Sequence, residues 1–218
     1  MNQFFCTFSI LAERLIQNNM KSIEEYIKSK GGYSKMSELR EAGFQTRDIK
    51  TLVDNGIIEK VKSGLYKVTS ATNVGKLNPS FVDVCKAFPK SVICLLSAAE
   101  YHELSTVNPS QIYAAIPRAE KPPQIEYPPV NFYYWEKSIY EKGIIEITTD
   151  NDVVKIYDKE KTICDLFRYR DKLGEDIAIE ALKNYLQLKN FDLNKLRDYA
   201  KATRVKAVIT PYIKAIVG

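Results

Sequence analysis

The chain has 218 residues, a formal net charge of +5 and 45% hydrophobic residues. A chain of this length can form one or two domains, each with a hydrophobic core, and the composition is that of a globular protein. No apolar run reaches the roughly 20 residues that a membrane-spanning helix needs. Residues 21–76 carry a net charge of +4, residues 77–182 carry −5 and residues 183–214 carry +6. The two basic segments are either solvated helix faces or surfaces for an anionic partner such as nucleic acid.

Residues 1–11 are apolar but lack the basic start of a signal peptide, and Glu13 and Arg14 end the run early. Residues 1–19 are an N-terminal helix, a frayed tail or a leader ahead of Met20. The four cysteines, Cys6, Cys85, Cys94 and Cys164, form no C-x-x-C pair, and they predict buried thiols in a reducing cytoplasm. With a single histidine, they leave no zinc site of normal spacing, and we expect no metal or cofactor.

Residues 20–72 predict a winged helix-turn-helix domain. A first helix over 22–30, capped by Ser22, ends at Gly31-Gly32. A second helix runs from about residue 36 to 42, and Gly43 breaks it. This order of two helices, a third helix and a hairpin is typical of a fold that inserts one helix into a DNA groove.

The third helix is the predicted recognition helix, with Thr46 as its N-cap. Its apolar stripe consists of Ile49, Leu52 and Val53, which are spaced to share one face of a helix. The opposite face carries Arg47, Lys50, Thr51 and Asp54. Long donors on one face and aliphatic support on the other are what groove recognition requires.

The hairpin that follows is predicted over residues 58–62 and 65–68, with Ser63-Gly64 as a two-residue turn. We expect its lysines to share one face and to contact phosphates. The predicted DNA-binding residues are Lys35, Gln45, Thr46, Arg47, Lys50, Thr51, Lys60, Lys62, Ser63 and Lys67.

Residues 78–218 predict a second, α+β domain with a small mixed or antiparallel sheet and C-terminal helices. Helices are expected over 81–88, 91–104, 161–172, 175–189, 192–204 and 205–217, and strands over 111–116, 130–135, 144–148 and 153–157. Five prolines between residues 117 and 129 indicate a stiff surface loop or, alternatively, a polyproline docking site. Pro211 predicts a kink or restart in the last helix. The last helices carry a predicted second basic surface: Lys195, Arg197, Lys201, Arg204 and Lys206, with Lys214 nearby.

The chain resembles the AbiEi family, which comprises antitoxins and transcriptional regulators of type IV (AbiE) toxin–antitoxin systems. Three segments carry the resemblance: LVDNGIIEKVKSGLY at 52–66; ICLLSAAEYHEL at 93–104 with AIPR at 115–118; and VKIYDKEKTICDLFR at 154–168 with RDKLG at 170–174. The likeness spans about residues 20–215, although the stretch before Met20 is not a feature of the family.

The resemblance implies a DNA-binding domain that represses its own operon, usually at inverted repeats, and a C-terminal domain with antitoxin activity. It also implies a nucleotidyltransferase-like toxin that is countered without a stable complex. The alternative function is that of a protein-interaction module or a general regulator with no toxin partner. Whether the chain binds DNA as a monomer or a dimer is left open.

Enzymatic activity is not expected. His102 is the only histidine and lies in an apolar stretch, so the sequence indicates no Ser-His-Asp or Cys-His catalytic site. Carboxylates at Glu146, Asp150, Asp152 and Asp158 could hold Mg²⁺, but Asp150 and Asp152 fall where a hairpin turn is predicted. No glycine-rich phosphate loop is present.

Overall fold

The computed structural model describes residues 20–69, 77–148 and 152–217, and its fold class is α+β. The predictions for residues 1–19, including the thiol of Cys6, fall outside this part of the chain. The described residues form two compact units. One contains 20–69 together with Gln124–Tyr127, and the other contains 77–123, 128–148 and 152–217.

The N-terminal unit combines three helices with a three-stranded antiparallel sheet. Its elements are α1 (20–29), β1 (Tyr33–Lys35), α2 (Met36–Glu41), α3 (Thr46–Asp54), β2 (Ile58–Lys62) and β3 (Leu65–Val68). The strand order is β1-β3-β2. The hairpin strands match their predicted bounds, whereas β1 was not predicted. Three residues are too few to show an alternating pattern, and β1 exists because it pairs with β3.

The core of this unit lies under the helices and uses the predicted apolar stripes. Ile23 and Ile27 of α1, Leu39 of α2, and Ile49 and Leu52 of α3 are all at most 1% exposed. These five side chains form one cluster with residues of β2 and β3. Burial of each aliphatic side chain stabilises the unit by about 1.5–3 kcal/mol relative to exposure.

Two turns fix the helix ends. At the end of α1, Gly32 N donates to Ile27 O, and Gly31 and Gly32 both have positive φ, so this pair ends the helix as predicted. At the end of α3, Gly56 N donates to Val53 O and Ile57 N to Leu52 O, a Schellman motif that requires the φ of +68° at Gly56. The predicted cap at Ser22 is wrong, because α1 already includes residue 20.

The C-terminal unit contains a five-stranded mixed sheet and most of the helices. Its elements are α4 (Pro79–Ala87), β4 (Val92–Ile93), α5 (Leu95–Tyr101), β5 (Ile112–Pro117), β6 (Val130–Trp135), α6 (Lys137–Tyr140), β7 (Ile144–Thr148), β8 (Val153–Tyr157), α7 (Lys159–Arg168), α8 (Arg170–Leu173), α9 (Glu175–Leu186), α10 (Leu193–Ala202) and α11 (Lys206–Val217). The strand order is β6-β5-β4-β8-β7, with β6 parallel to β5, β4 parallel to β8, and the remaining pairs antiparallel.

The single helix predicted over 91–104 is wrong. Its first part is β4, the central strand, and α5 begins only at Leu95. An apolar run has no polar positions that would separate period 2 from period 3.6, so the sequence pattern could not locate this change. Leu95 is fully buried with φ +49°, a left-handed conformation at the point where strand becomes helix.

The C-terminal helices differ from the prediction in detail. The predicted helix over 161–172 is two helices, because α7 ends at Arg168 and α8 begins at Arg170. Asp192 caps α10 as predicted, by accepting from the backbone N–H groups of Asn194 and Lys195. The helix α11 runs through Pro211 without a restart. The short helix α6 was not predicted.

A buried ion pair lies where α7 packs on the sheet. Lys161 and Asp165 are both fully buried, and Lys161 Nζ lies 2.7 Å from Asp165 Oδ1. The ammonium also lies 4.1 Å from the ring centroid of Trp135 and 4.4 Å from that of Tyr157. Burial raises the pKa of Asp165 to about 6, against the lowering effect of Lys161. The buried ammonium of Lys161 on α7 therefore contacts an aromatic ring of β6 and one of β8.

Cys85, Cys94 and Cys164 are buried free thiols, as predicted, and burial raises the pKa of each. Among the described helices, none is long and apolar enough to cross a membrane.

Breaking the buried pair should destabilise the fold strongly. We expect Asp165→Asn to lower the free energy of unfolding by about 3 kcal/mol, because it leaves the Lys161 ammonium without its counter-charge. The double variant K161M/D165L removes both charges and should recover most of that stability. Urea unfolding followed by circular dichroism measures both values. Equal stability of Asp165→Asn and wild type would contradict this role for the pair.

Candidate nucleic-acid interface

The exposed face of α3 carries cations above a buried aliphatic stripe. Arg47 and Lys50 are exposed, with 80% of the Arg47 side chain accessible, whereas Ile49 and Leu52 are buried. Arg47 Nε lies 3.7 Å from Asp48 Oδ1, a distance too long for a hydrogen bond. The predicted division of α3 into a supporting face and a cationic face is confirmed.

The start of α3 differs from the prediction. Gln45 is the N-cap, without a side-chain cap hydrogen bond, and Thr46 is the first helical residue. Both side chains are exposed. The hydroxyl of Thr46 accepts from Arg40 Nη2 at 3.3 Å, so Arg40 of α2 adds a cation beside this end of α3. Sequence reasoning did not single out Arg40, because its approach to Thr46 depends on how α2 and α3 pack.

Thr51 is oriented toward its own helix. It is half-buried, and its hydroxyl donates to the carbonyl of Arg47 at 3.0 Å. This bond to the preceding turn is common for threonine inside a helix. A groove contact by Thr51 would use the methyl group or require the hydroxyl to rotate.

The three hairpin lysines do not share one face, which corrects the prediction. Lys60 lies opposite Tyr66, and Lys67 lies opposite Glu59. Because Tyr66 and Lys67 are neighbours in one strand, their side chains point to opposite faces. The register shifts between Lys60 and Lys62, so the simple alternation assumed from the sequence does not hold along β2.

Lys60 is paired with a carboxylate from a distant part of the chain. Its Nζ lies 2.6 Å from Glu126 Oε1, and this hydrogen bond raises the pKa of Lys60. Two backbone contacts place Glu126 there: Glu126 N donates to Val61 O at 3.2 Å, and Ile125 forms an antiparallel bridge with Lys62. We call residues Gln124–Tyr127 the edge segment, since they extend the sheet beside β2.

The other predicted phosphate-binding residues differ in their exposure to solvent. Lys67 is 16% exposed and lies 3.3 Å from Glu59. Ser63 is exposed in the turn, next to Gly64 with φ +76°. Lys35 is exposed at the junction of β1 and α2, and Lys62 is half-buried.

Lys195 does not belong to an open basic surface, contrary to the prediction. Its Nζ lies 3.0 Å from Asp158 Oδ2 and 3.1 Å from Glu160 Oε2, whose side chains are each 10% exposed. Burial alone would lower the pKa of Lys195, but the hydrogen bonds to Asp158 and Glu160 raise it above its ordinary value. Lys195 therefore fastens α10 to the start of α7.

The remaining residues of the second basic surface are exposed on α10, α11 and the turn between them. They are Arg197, Lys201, Arg204 and Lys206, with Lys214 farther along α11. Arg197 and Lys201 are four residues apart on α10 and so share a face. Arg204 has φ +62°, where glycine is normally favoured.

Two of the carboxylates considered for Mg²⁺ have other roles, and Glu146 is exposed in β7. Asp152 forms an ion pair with Lys86 at 2.6 Å, and Asp158 caps α7 through Lys161 N at 2.8 Å. Asp150 lies outside the described residues. Within the described ranges, no group of three or more His, Cys, Asp or Glu side chains could hold a metal ion.

His102 contacts the backbone rather than a nucleophile. Its Nε2 lies 2.7 Å from the carbonyl oxygen of Tyr157, which assigns a donating N–H to that nitrogen. Burial lowers the pKa of His102 despite this hydrogen bond. The geometry gives His102 a structural contact between the end of α5 and β8.

No protein-family model and no curated protein matches the sequence of this chain. The resemblance to AbiEi proteins therefore stays a prediction that rests on the quoted segments.

The left-handed conformation of Arg204 gives a test that separates stability from charge. We expect Arg204→Gly to raise the free energy of unfolding by up to about 1 kcal/mol, because glycine adopts this φ without strain. Arg204→Ala should bring no such increase. Glu103→Gly is the matched control, since Glu103 has φ +57° at the end of α5 and carries no positive charge. We expect it to raise the free energy of unfolding as Arg204→Gly does, because the effect comes from the backbone and not from the charge. Chemical denaturation measures all three, and destabilisation by both glycine variants would contradict the strain.

Proposed function

We propose that the N-terminal unit is a winged helix-turn-helix that binds double-stranded DNA, with α3 in the major groove. One observation carries the proposal. Arg47 and Lys50 project from a helix whose opposite face is anchored by Ile49 and Leu52, so the face that carries these cations has a fixed orientation. Arg and Lys donors presented this way match the acceptors of guanine in the major groove. Gln45 and Thr46, exposed at the start of α3, are positioned for base or phosphate contacts.

The hairpin of β2 and β3 is the proposed wing. Ser63 and Lys62 stand at its tip, and we assign them phosphate contacts beside the groove. Lys35 and Arg40 add positive charge on the α2 side. Lys60 contributes less than the sequence suggests, because Glu126 already neutralises it.

The cellular role follows from the resemblance together with this interface. We propose a cytoplasmic repressor that acts as the antitoxin of a type IV toxin–antitoxin system and regulates its own operon at inverted repeats. Its functional partner would be a nucleotidyltransferase-like toxin that forms no stable complex with it. A toxin gene of that class in the adjacent reading frame would support this role, and a neighbourhood without one would favour a general regulator.

Removal of the α3 cations tests the DNA proposal. We expect Arg47→Ala and Lys50→Ala each to weaken binding to the chain's own promoter fragment by about 1–3 kcal/mol. Each cation that no longer neutralises a phosphate should also reduce the slope of log K against log salt by about 0.9. Fluorescence anisotropy at salt concentrations from about 50 to about 200 mM measures the binding free energy and the salt slope, because protein–DNA binding is strongly salt-dependent over this range.

Lys183→Ala is the control for that experiment. Lys183 is an exposed lysine of α9 in the other unit and should leave promoter binding unchanged. Salt-insensitive binding, or equally weakened binding in all three variants, would refute a groove contact by α3.

The pairing of Lys60 with Glu126 predicts that one substitution tightens binding. We expect Glu126→Gln to strengthen DNA binding and to steepen the salt slope by about 0.9, because Lys60 then becomes available to displace one more counterion. Glu141→Gln is the control, since Glu141 is exposed in the other unit and lies 3.8 Å from Lys137. An unchanged slope in Glu126→Gln would show that Lys60 does not reach phosphate.

A further inference from the structure

The sheet of the C-terminal unit ends in a strand whose outer side has no strand beside it in the described part of the chain. The strand β6 lies at the edge of the order β6-β5-β4-β8-β7, and its six residues pair with β5 without interruption. Its outer backbone groups therefore have no strand partner among the described residues, which is the arrangement that an added strand needs.

The hydrogen bonds to β5 identify which groups point outward. Ile112 N donates to Pro129 O, and Arg118 N donates to Trp135 O. In a parallel ladder with this register, residues 131, 133 and 135 are bonded to β5. The backbone N–H and C=O groups of Val130, Phe132 and Tyr134 consequently face away from the sheet.

This edge lacks the protection that the other described edges have. Soluble proteins usually blunt edge strands with charges, bulges, short length or a covering segment. The edge segment covers β2, β1 has only three residues, and β7 carries Glu146 at its centre. The strand β6 reads VNFYYW, with no charged residue and with 52% of Tyr134 exposed. An unprotected edge of this length is expected to have a partner.

A cleft beside the edge offers a place for one large side chain. It has a volume of about 540 Å³ and lies between β6 and the α7–α8 turn. Tyr113, Tyr133 and Tyr169 form its aromatic part, with Tyr133 stacked on Tyr113 at 6.0 Å and edge-on to Tyr169 at 4.9 Å. Burial raises the pKa of Tyr133 to about 12, so its hydroxyl remains a donor at neutral pH. Lys172 lines the cleft and is exposed, which favours an acidic group nearby.

We propose that β6 is a docking edge for an extended acidic peptide segment of another protein, which adds as a sixth strand. Main-chain hydrogen bonds to Phe132 and Tyr134 supply the affinity, as in other strand-addition complexes. Alternate side chains of the peptide point to the tyrosine cleft, where one large apolar side chain fits and a neighbouring carboxylate pairs with Lys172. This role uses none of the residues assigned to DNA and does not depend on DNA binding.

A phage-displayed library of random twelve-residue peptides, selected on the full chain, tests the proposal. We expect enrichment of sequences that alternate apolar and polar residues and carry a carboxylate at a fixed position. An enriched peptide should bind Lys172→Glu at least tenfold more weakly, and replacement of its carboxylate by lysine should restore binding to that variant. Lys183→Glu is the matched control and should bind the original peptide as wild type does.

Backbone chemistry separates strand addition from capture by the cleft alone. N-methylation of the peptide amides that face β6 should abolish binding, whereas methylation of the alternate amides should leave it within about threefold, because only the first set donates to the edge. The variant Tyr134→Pro removes one outward N–H without removing a bond to β5, and it should also fail to bind the peptide. Its thermal unfolding is compared with wild type to confirm that it is folded.

Four outcomes would overturn the proposal. Three of them are no enrichment above background, binding of the enriched peptides to Lys172→Glu that equals binding to wild type, and tolerance of N-methylation at every position. The fourth is occupation of the edge by something else: a dimer of the chain that Tyr134→Pro abolishes, or a mononucleotide such as AMP whose binding Lys172→Glu abolishes.

Discussion

The direction of the exposed cations on α3 depends on the burial of Ile49 and Leu52 beneath them. A nine-residue helix is too short to be stable in water by itself, so tertiary packing supplies its stability. The Schellman motif at Gly56 then sets the angle at which the chain leaves α3 and enters β2. If this packing were loose, Arg47 and Lys50 would have no fixed orientation, and neither the helix nor the hairpin could present a defined surface.

Charge serves different purposes in the two units. In the N-terminal unit, Arg47 and Lys50 remain exposed, whereas Lys60 and Lys67 of the hairpin pair with Glu126 and Glu59. In the C-terminal unit, Lys161 is enclosed by two aromatic rings and one carboxylate, and Lys195 bridges two carboxylates. A lysine in a basic stretch of sequence is therefore a candidate ligand-binding group in one place and a structural fastener in another.

Local pattern predicted the elements that are governed by local physics. The strands at 58–62, 65–68, 130–135, 144–148 and 153–157 have the predicted bounds, because alternation and flanking turn residues define them. The paired faces of α3 followed from helical spacing. What the sequence could not show were contacts between distant residues: β1 on β3, Glu126 on Lys60, and Lys195 on Asp158. The strand β4 was missed for another reason, since a uniformly apolar run carries no period.

The edge segment makes the N-terminal unit discontinuous in sequence. A truncated protein that stops at residue 72 would contain all three helices and all three strands, yet it would lack Gln124–Tyr127. The carbonyl of Val61 would be left without its donor, the ammonium of Lys60 without its carboxylate, and β2 would become an open border. Such a fragment would be more cationic at the hairpin and more prone to self-association than the same residues in the intact protein, so its behaviour in solution would not represent the whole chain.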